Sequence, residues 1–320
     1  MRTRELGKTG LQVSEIGFGA WAIGGGMWGG PRDRDSRAAL KRAYELGVNF
    51  IDTAAVYGNG HSERLVGEFL KAHPEVAVAT KVPPKSGRWP ARPGAVSKEN
   101  FPADWIVRSC ERSLDNLGRG HIDLLQLHNW ADSFLDDDDW YQGMAKLREA
   151  GKIRFIGVSL NSHDPASALR LVRSGQVDAL QVFYNIFDQS PEDELFAACL
   201  EHKVGILARV PFDEGSLTGK LREDTTFPEG DFRVQYFGGE LLKQTVQRVE
   251  AMRPIVEDAA ASMPRGALRF CLSHPAVSSV IPGIRNIKQA EENCSASDDG
   301  PLPAAVLTQL RAHRWVRSPY

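Results

Sequence analysis

The sequence predicts one domain of the (β/α)8 barrel class, and three observations lead to that prediction. Eight apolar, strand-like segments alternate with helical patterns along nearly the whole 320-residue chain. Polar side chains fall at the carboxyl ends of these segments, where a barrel holds its active site, so a closed barrel is favoured over an open sheet. No linker divides the chain, so residues 1–320 are expected to form a single domain.

The strand candidates are short runs of β-branched and other apolar residues. In chain order they are SEIGFGA (14–20), VNFIDTA (48–54), VAVATKV (76–82), IDLLQLH (122–128), IRFIGVS (153–159), DALQVFYN (178–185), VGILARV (204–210) and VSSVIPG (277–283). Each is followed by a segment long enough to cross back as a helix, which is the connection that parallel strands require.

Several of the intervening helices have readable boundaries. Asp164-Pro165 and Ser190-Pro191 each place a capping side chain before a proline suited to a first helical turn. Apolar residues recur at helical spacing from Ile106 to Leu117, and Gly118 follows as a stop signal. The same pattern recurs at Trp140, Met144 and Leu147 and ends at Gly151.

Three stretches interrupt this alternation. Residues 85–101 and 221–239 are rich in Gly, Pro and charge, and they are interpreted as long loops after the third and seventh strands. Such loops at the catalytic face serve as lids or substrate walls, or only as mobile decoration. The acidic run from Asp136 to Asp139 is interpreted as a solvated helix entry.

Composition places the chain among ordinary globular proteins. It is 42% hydrophobic and 25% charged with a net charge of −2, which gives no electrostatic reason to expect nucleic acid or an anionic membrane as a partner. The four cysteines are widely spaced and are expected to be reduced thiols rather than a metal site. No signal-peptide core or membrane-length apolar run is present, so a cytoplasmic protein is expected.

Four ionisable residues stand at or just past strand ends: Asp52, Tyr57, Lys81 and His128. A carboxylate, a phenol, an ammonium and an imidazole at one end of a barrel predict a proton-transfer site. Lys81 beside Tyr57 is expected to lower the phenol's pKa from ~10, which would make it an acid usable near neutrality. Asp52 would hold the lysine in place, and His128 would orient the atom that receives the proton.

The motifs of this chain also resemble those of a known family. RELGKTGLQVSEIGFGAW, GVNFIDTAAVYGNGHSERLVGEFL, IDLLQLHNW, GKIRFIGVS, GSLTGKL and SSVIPGIRNIKQAEEN are similar, in order, to the successive signatures of the aldo-keto reductases. The resemblance implies an oxidoreductase that uses NADPH, with NADH as a weaker alternative, to reduce an aldehyde or ketone to an alcohol. It implies a TIM barrel with neither a Rossmann domain nor a metal.

The resemblance assigns the family's catalytic tetrad to Asp52, Tyr57, Lys81 and His128, with Tyr57 as the proton donor. It assigns the nicotinamide carboxamide to Ser159, Asn161 and Gln181, although the asparagine here is displaced by one position from the usual Gly-Val-Ser-Asn. The other implied cofactor contacts lie in four places along the chain: Trp21; Arg209, where many relatives carry an aromatic residue; Gly215, Leu217 and Lys220 in the loop that covers the pyrophosphate; and Gly283, Arg285, Gln289, Glu292 and Asn293 after the last strand.

Two of these contacts carry further expectations. Arg285 would grip the adenosine 2′-phosphate, which favours NADP over NAD. Arg209 could lie flat on the nicotinamide ring or reach the pyrophosphate, and both interpretations stay open.

Four tryptophans are candidates for the substrate pocket: Trp21, Trp28, Trp89 and Trp130. Trp21 and Trp130 are the best placed of these, just beyond strands one and four, although packing would explain any one of them about equally well.

Two other functions compete with a reductase that acts as a monomer on small carbonyl compounds. One is a cofactor-binding regulatory protein on the same fold. The other is a barrel lyase that uses Lys81 as a Schiff base, which would leave Arg285 and the pairing of Tyr57 with Asp52 unexplained.

Overall fold

A computed structural model describes residues 1–25 and 32–317 and shows a parallel eight-stranded barrel. Its strands follow one another around the sheet in chain order. The first and last strands meet through backbone hydrogen bonds from Gly17 N to Val280 O (2.8 Å) and from Val280 N to Glu15 O (2.8 Å). The sheet therefore closes on itself, and the predicted fold class is confirmed. The barrel strands are β3 (Phe18–Gly19), β4 (Phe50–Asp52), β5 (Ala77–Val82), β6 (Ile122–Leu127), β7 (Ile153–Ser159), β8 (Ala179–Phe183), β9 (Gly205–Arg209) and β10 (Val277–Val280).

Helices surround the barrel and cover its outer apolar face. The predicted helix over 106–117 is present, with Ile106, Cys110, Leu114 and Leu117 buried and Gly118 in the left-handed conformation at its end. The helices are α1 (Asp33–Glu45), α2 (His61–Leu70), α3 (Ser97–Asn100), α4 (Ala103–Leu117), α5 (Asp139–Glu149), α6 (Leu169–Ser174), α7 (Leu195–His202), α8 (Arg233–Tyr236), α9 (Leu241–Ala260), α10 (Met263–Leu272), α11 (Ile287–Ser295) and α12 (Ala304–Arg311).

The two proline-marked helix starts differ from expectation. Short 3-10 turns, Pro165–Ala168 and Ser190–Glu192, precede α6 and α7 at these places. Neither turn has a capping hydrogen bond from the side chain before it. The Ser190 hydroxyl and backbone N–H both donate to Asp188 Oδ1, at 2.5 and 3.1 Å.

A β-hairpin that the sequence did not predict closes the amino-terminal end of the barrel. It consists of β1 (Thr3–Glu5) and β2 (Gln12–Ser14), and it carries Leu6 and Val13 fully buried into a small cluster. That cluster is lined by residues at the starts of barrel strands, such as Phe50, Ala77 and Ala179. The barrel interior is therefore sealed at this end and accessible only from the other.

The acidic run is more than a solvated helix entry. The Asp137 carboxylate accepts hydrogen bonds from both the backbone N–H and the hydroxyl of Ser97, at the start of α3. Asp139 accepts from Ala103 N (2.7 Å) at the start of α4. These carboxylates therefore tie the starts of two neighbouring helices to α5, because each helix start offers unsatisfied N–H groups.

The four cysteines are free and buried, as expected for scattered thiols. Burial raises the pKa of Cys110, Cys199 and Cys294 to about 12 and also raises that of Cys271. Over the described ranges, no helix combines the length and apolarity that crossing a bilayer would require.

Candidate active site

Asp52, Tyr57, Lys81 and His128 come together at the carboxyl end of the barrel. Asp52 ends β4, Lys81 lies near the end of β5, and His128 directly follows β6. The Lys81 ammonium donates to Asp52 Oδ1 at 2.5 Å and contacts the Tyr57 hydroxyl at 3.3 Å. Neighbouring parallel strands end at the same rim, so residues far apart in sequence meet here without any loop having to move.

The Asp52 carboxylate is held from both sides. Its Oδ1 accepts from Lys81, and its Oδ2 accepts from the amide nitrogens of Gln126 (3.0 Å) and Gln181 (2.8 Å). Lys81 also donates to Thr53 O at 2.8 Å. Gln126 is not among the residues predicted for the site, although its position on β6 two residues before His128 marks it as inward-facing. These bonds fix the lysine in one place beneath the phenol.

The pKa of the Tyr57 phenol is raised, and the expectation that Lys81 would lower it below its usual value is wrong for the protein alone. Burial of the phenolate is the largest effect and raises the pKa, and the nearby Asp52 charge adds to it. The Lys81 charge lowers the pKa of Tyr57 but does not offset the burial. Tyr57 is therefore held in its protonated form, which is the form an acid must have before it reacts.

Lys81 is an ammonium in this site. Burial alone would lower its pKa, but the Asp52 carboxylate and the Tyr57 phenol act in the opposite direction, and the net pKa is raised. Because the side chain is fully buried, its charge can be maintained only by these partners.

His128 is a neutral imidazole. Burial lowers its pKa well below the usual value, and the positive charges of Lys81 and Arg209 lower it further. Its ring lies edge-on to Tyr57, with the ring centroids 5.8 Å apart. Among the described residues its Nδ1 has no hydrogen-bond partner. Because Nδ1 is buried, a ligand's polar group beside the phenol would be bound through the other ring nitrogen, Nε2.

Aromatic side chains flank the tetrad. Trp21 lies against Tyr57 (6.1 Å between centroids, 29° between planes) and also against Phe232 (5.5 Å). On the other side, Trp89 is 46% exposed, and its ring is 5.4 Å from that of His128. Its indole nitrogen donates to His128 O at 3.1 Å. Phe232 comes from the 221–239 loop, and nothing in the sequence pointed to it beyond its place in that loop.

Trp130 belongs to the core instead of the pocket. It is fully buried, packs edge-on against Phe134 and Trp140, and donates from its indole nitrogen to Ser167 O at 3.0 Å. The prediction that Trp130 contacts substrate is therefore corrected: an inward-turned indole with a satisfied N–H has no free face. Trp28 lies outside the described residues.

The structure separates the three residues expected at the nicotinamide carboxamide. Ser159 ends β7 and Gln181 lies on β8, both buried at the rim beside Asp52. The Asn161 amide is instead committed to backbone groups: it donates to Ala91 O (3.0 Å) and Trp130 O (2.9 Å) and accepts from Ala91 N (3.2 Å). The one-residue displacement seen in the sequence thus turns this amide towards the 85–101 loop, and Asn161 is reassigned as a loop anchor.

Arg209 ends β9 and lies over the Phe183 ring, 5.3 Å from its centroid. Its Nη2 donates to Leu160 O (3.1 Å) and Ser162 Oγ (3.2 Å). Its Nε has no partner within the described part of the chain. The guanidinium charge lowers the pKa of both Tyr57 and His128, so Arg209 belongs to the catalytic end of the cleft.

The loop after β9 presents an open backbone. Gly215 has a φ of +101°, and a methyl group placed on it would meet no heavy atom within 4 Å. The Leu217 side chain is fully buried in the core, so only its backbone is available to a ligand. Lys220 is exposed. An open glycine face of this kind lets a ligand approach the main chain closely.

A second open backbone follows β10. Gly283 is exposed, and a methyl group placed there would likewise have open space. The Arg285 backbone N–H donates to Gln289 Oε1 (2.8 Å), and Asn293 Nδ2 donates to Gly283 O at 3.5 Å, which organises the start of α11. Glu292 is half-buried on the same helix.

Arg285 places a guanidinium without a bonded partner at this helix start, with the Asp231 carboxylate as the nearby opposite charge. Its guanidinium is half-buried and makes no hydrogen bond or ion pair with any residue in 1–25 or 32–317. Burial lowers the pKa of Arg285, and the neighbouring Arg233 lowers it further.

These features fit a bound nicotinamide dinucleotide. A guanidinium without a bonded partner, two open glycine faces and a neutral imidazole match an anionic, elongated ligand with a polar reactive group. The side chains and backbone groups of this site thus include some that bind anions and some that bind amides.

Comparisons with known proteins agree with this site. The model of the Aldo/keto reductase family matches residues 15–314. The chain is 31% identical over 297 residues to the aldo-keto reductase YhdN of Bacillus subtilis (strain 168), covering 91% of this chain and 87% of that protein. The solved structure of the glycerol dehydrogenase AKR11B4 from Gluconobacter oxydans superposes with a TM-score of 0.80 at 29% identity, covering 97% of this chain and 94% of the other.

Other relatives differ in what their names state. The NADH-specific methylglyoxal reductase of Escherichia coli (strain K12) is 29% identical, over 92% of this chain and 93% of its own. A probable voltage-gated potassium channel subunit beta of Arabidopsis thaliana is 27% identical, over 96% and 94%.

Proposed function

Because this chain belongs to the aldo/keto reductase family, we propose that it is an NADPH-dependent reductase that converts an aldehyde or ketone to an alcohol. The single observation that carries the proposal is the buried contact of Lys81 with both Asp52 and Tyr57 at the open end of the barrel. This arrangement keeps one phenol protonated beside a fixed positive charge. It supplies an acid for a carbonyl oxygen but no nucleophile.

The tetrad divides the work of proton transfer. The cofactor, when bound, supplies the hydride that the carbonyl carbon accepts. Tyr57 donates its hydroxyl proton to the carbonyl oxygen. Lys81 stabilises the phenolate that remains, and Asp52, held by Gln126 and Gln181, keeps Lys81 charged and in place.

The remaining residues bind and orient. His128, a neutral imidazole edge-on to Tyr57, would hold the carbonyl oxygen next to the phenol through Nε2. Trp21 and Trp89 flank the pair and would exclude water from it. Ser159 and Gln181 would hold the carboxamide, the backbone at Gly215 the diphosphate, and Arg285 the adenosine 2′-phosphate. Arg209, fixed beside Phe183, would face the nicotinamide end of the cofactor.

The charge state of Lys81 argues against the lyase alternative. A Schiff base forms only from a neutral amine, and an ammonium bonded to Asp52 with a raised pKa is a poor nucleophile. A regulatory protein that binds cofactor with little turnover has the same binding residues, so turnover has to be measured directly. The cytoplasmic location and the monomeric state stay predictions.

The test is a fluorescence titration with NADPH and NADH, followed by NADPH consumption against a panel of aldehydes and ketones. We expect tight binding that favours NADPH, together with turnover. Arg285→Ala should weaken NADPH by about tenfold or more and leave NADH nearly unchanged, because NADH lacks the 2′-phosphate. Equal losses for both cofactors would refute the role of Arg285, and binding without any turnover would favour the regulatory protein.

A further inference from the structure

Glu214 is a buried acid that the proposed chemistry does not use. It lies between Arg209 and Gly215 in the chain, within the 3-10 turn Asp213–Thr218, and is only 6% exposed. Its carboxylate forms no hydrogen bond or ion pair with any residue that the structure describes. Buried carboxylates are normally satisfied by partners, so this one is out of the ordinary.

The neighbouring acid shows the contrast. Asp213, 2% exposed, accepts hydrogen bonds from the Ser216 hydroxyl (2.6 Å), the Tyr236 hydroxyl (2.6 Å) and the Arg317 guanidinium (2.5 Å). Arg317 therefore compensates Asp213. Glu214 has no bonded partner of this kind among the described residues, although the charges of Arg209, Arg233 and Arg317 act on it.

The conformation of Glu214 places it at the open backbone. Its φ is +55°, in the left-handed region that a residue with a side chain rarely adopts, and Gly215 follows at +101°. Space lies in front of Gly215. Glu214 follows the carboxyl end of β9, so it lies on the same face of the barrel as the tetrad. A strained acid without a bonded protein partner, next to an open backbone, indicates a functional group.

We propose that Glu214 binds the dinucleotide cofactor in its protonated form, donating a hydrogen bond to it, so that cofactor binding takes up a proton. This inference rests on the proposed function, since it assumes that the dinucleotide lies along the loop after β9. A carboxylate there would repel the diphosphate. A carboxylic acid, in contrast, can donate a hydrogen bond to an oxygen of the diphosphate or of a ribose.

The surrounding charges support the neutral form. Burial raises the pKa of Glu214 to about 8, and the Asp213 charge contributes in the same direction. Arg209 on β9, Arg233 on α8 and Arg317 in the C-terminal segment lower it, but less than burial raises it. Tyr236, whose hydroxyl is bonded to Asp213, stays protonated because its own pKa is raised, so it adds no charge.

The protonation of Glu214 determines how NADPH affinity changes with pH. If the protonated form binds, NADPH affinity is at its full value well below the pKa and is lost as pH rises through it. With a pKa of about 8, the dissociation constant should increase about tenfold between pH 7 and pH 9. A bound anion next to Glu214 would raise its pKa further, so the acid stays protonated in the complex.

The experiment is isothermal titration calorimetry of NADPH and of NADH at pH 8.5, in buffers of different ionisation enthalpy. We expect uptake of about 0.8 proton per cofactor, since a group with a pKa of about 8 is about three-quarters ionised at that pH. Glu214→Gln, which imitates the neutral acid, should abolish the uptake and keep tight binding at pH 9. Glu201→Gln, at an exposed position on α7, should behave as the wild type does.

Each possible result of this titration either supports the proposed role of Glu214 or overturns it. Uptake with both cofactors that disappears in Glu214→Gln supports the proposal. Binding without uptake, or uptake that Glu214→Gln retains, overturns it and leaves the reductase proposal intact. Uptake with NADPH alone would come from the 2′-phosphate and also overturns it. If neither cofactor binds, the proposed function fails as well. Glu214→Ala, which removes the donor, should weaken binding at both pH 7 and pH 9.

Discussion

A single phenol is the focus of the site at the scale of residues. Tyr57 is half-buried, contacts Lys81 at 3.3 Å and is held protonated by its environment. The ammonium that would stabilise the phenolate is already in place, so the charge created by proton donation needs no rearrangement of the protein. Preorganised charge of this kind lowers the barrier because it requires no reorganisation during the reaction.

Tyr57→Phe is expected to reduce kcat by about 10²- to 10⁴-fold, the usual contribution of a positioned acid, because it removes the proton and little else. Cofactor affinity should change by less than about twofold, since the ring and its contact with Trp21 remain. Stopped-flow turnover and fluorescence titration would measure the two effects separately. Tyr44→Phe, whose hydroxyl bonds Glu75 at the surface, is the control. If Tyr57→Phe kept most of the activity, the assignment of the proton donor would be contradicted.

The identity of the site residues could be predicted from the sequence more readily than their burial and their pKa values. The four tetrad residues stood at strand ends in the sequence, and the structure brings all four together. The sign of the pKa shift at Tyr57 was wrong, because burial depends on the whole barrel whereas the Lys81 charge could be inferred from a pair. Glu214 was not singled out either, because a carboxylate next to glycine in a loop is usually solvated.

Two long connections form the walls of the site at the scale of elements. The 85–101 loop carries Trp89 to His128 and is fastened at Ala91 by the Asn161 amide. The 221–239 loop carries Phe232 to Trp21. Each loop thus brings one aromatic side chain to one side of the tetrad. The shape of the pocket therefore depends on how each loop is anchored.

Asn161→Ala should loosen the 85–101 loop, because it leaves three backbone groups without their partner. We expect a loss of about 1 kcal/mol or more in unfolding free energy, together with a several-fold increase in KM for the carbonyl substrate. The NADPH dissociation constant should stay unchanged. Urea unfolding, steady-state kinetics and fluorescence titration measure these quantities. Asn161→Asp should be affected at least as much, because a carboxylate oxygen in place of the amide nitrogen would face the acceptors Ala91 O and Trp130 O. Weakened NADPH binding with an unaltered KM would restore the carboxamide role.

The eight barrel strands were predictable because each is a buried apolar run bounded by turn residues. The hairpin was not, because β1 (Thr3–Glu5) and β2 (Gln12–Ser14) are three residues each and largely polar. The helices α3 and α8 inside the two loops were missed for a similar reason. Four residues are too few to show a helical period, and tertiary contacts hold such short turns in place.

At the scale of the whole molecule, one end of the barrel contributes to stability and the other holds the tetrad. The hairpin seals the amino-terminal end with Leu6 and Val13, whereas every tetrad residue lies at the carboxyl end. Gly205 permits this closure, because a methyl group there would lie 2.6 Å from a Leu6 methyl. Stability and chemistry are thereby located at opposite faces, as is general for this fold.

Leu6→Ala should therefore lower stability without affecting function. Removing a fully buried leucine is expected to cost about 2–5 kcal/mol of unfolding free energy through lost burial and the cavity left behind. The NADPH dissociation constant and kcat should be unaltered in the folded fraction. Denaturant unfolding and cofactor titration provide the measurements, and Leu11→Ala, at a half-buried site on the same cluster, should cost less. A change in cofactor affinity would show that the two ends are coupled.

The placement of the four thiols has a chemical consequence for an enzyme of this kind. Aldehydes and unsaturated ketones are electrophiles that alkylate exposed thiolates. Here Cys110, Cys199, Cys271 and Cys294 are shielded by the fold, and burial keeps them protonated. Carbonyl electrophiles in solution therefore meet no exposed thiolate at any of the four cysteines.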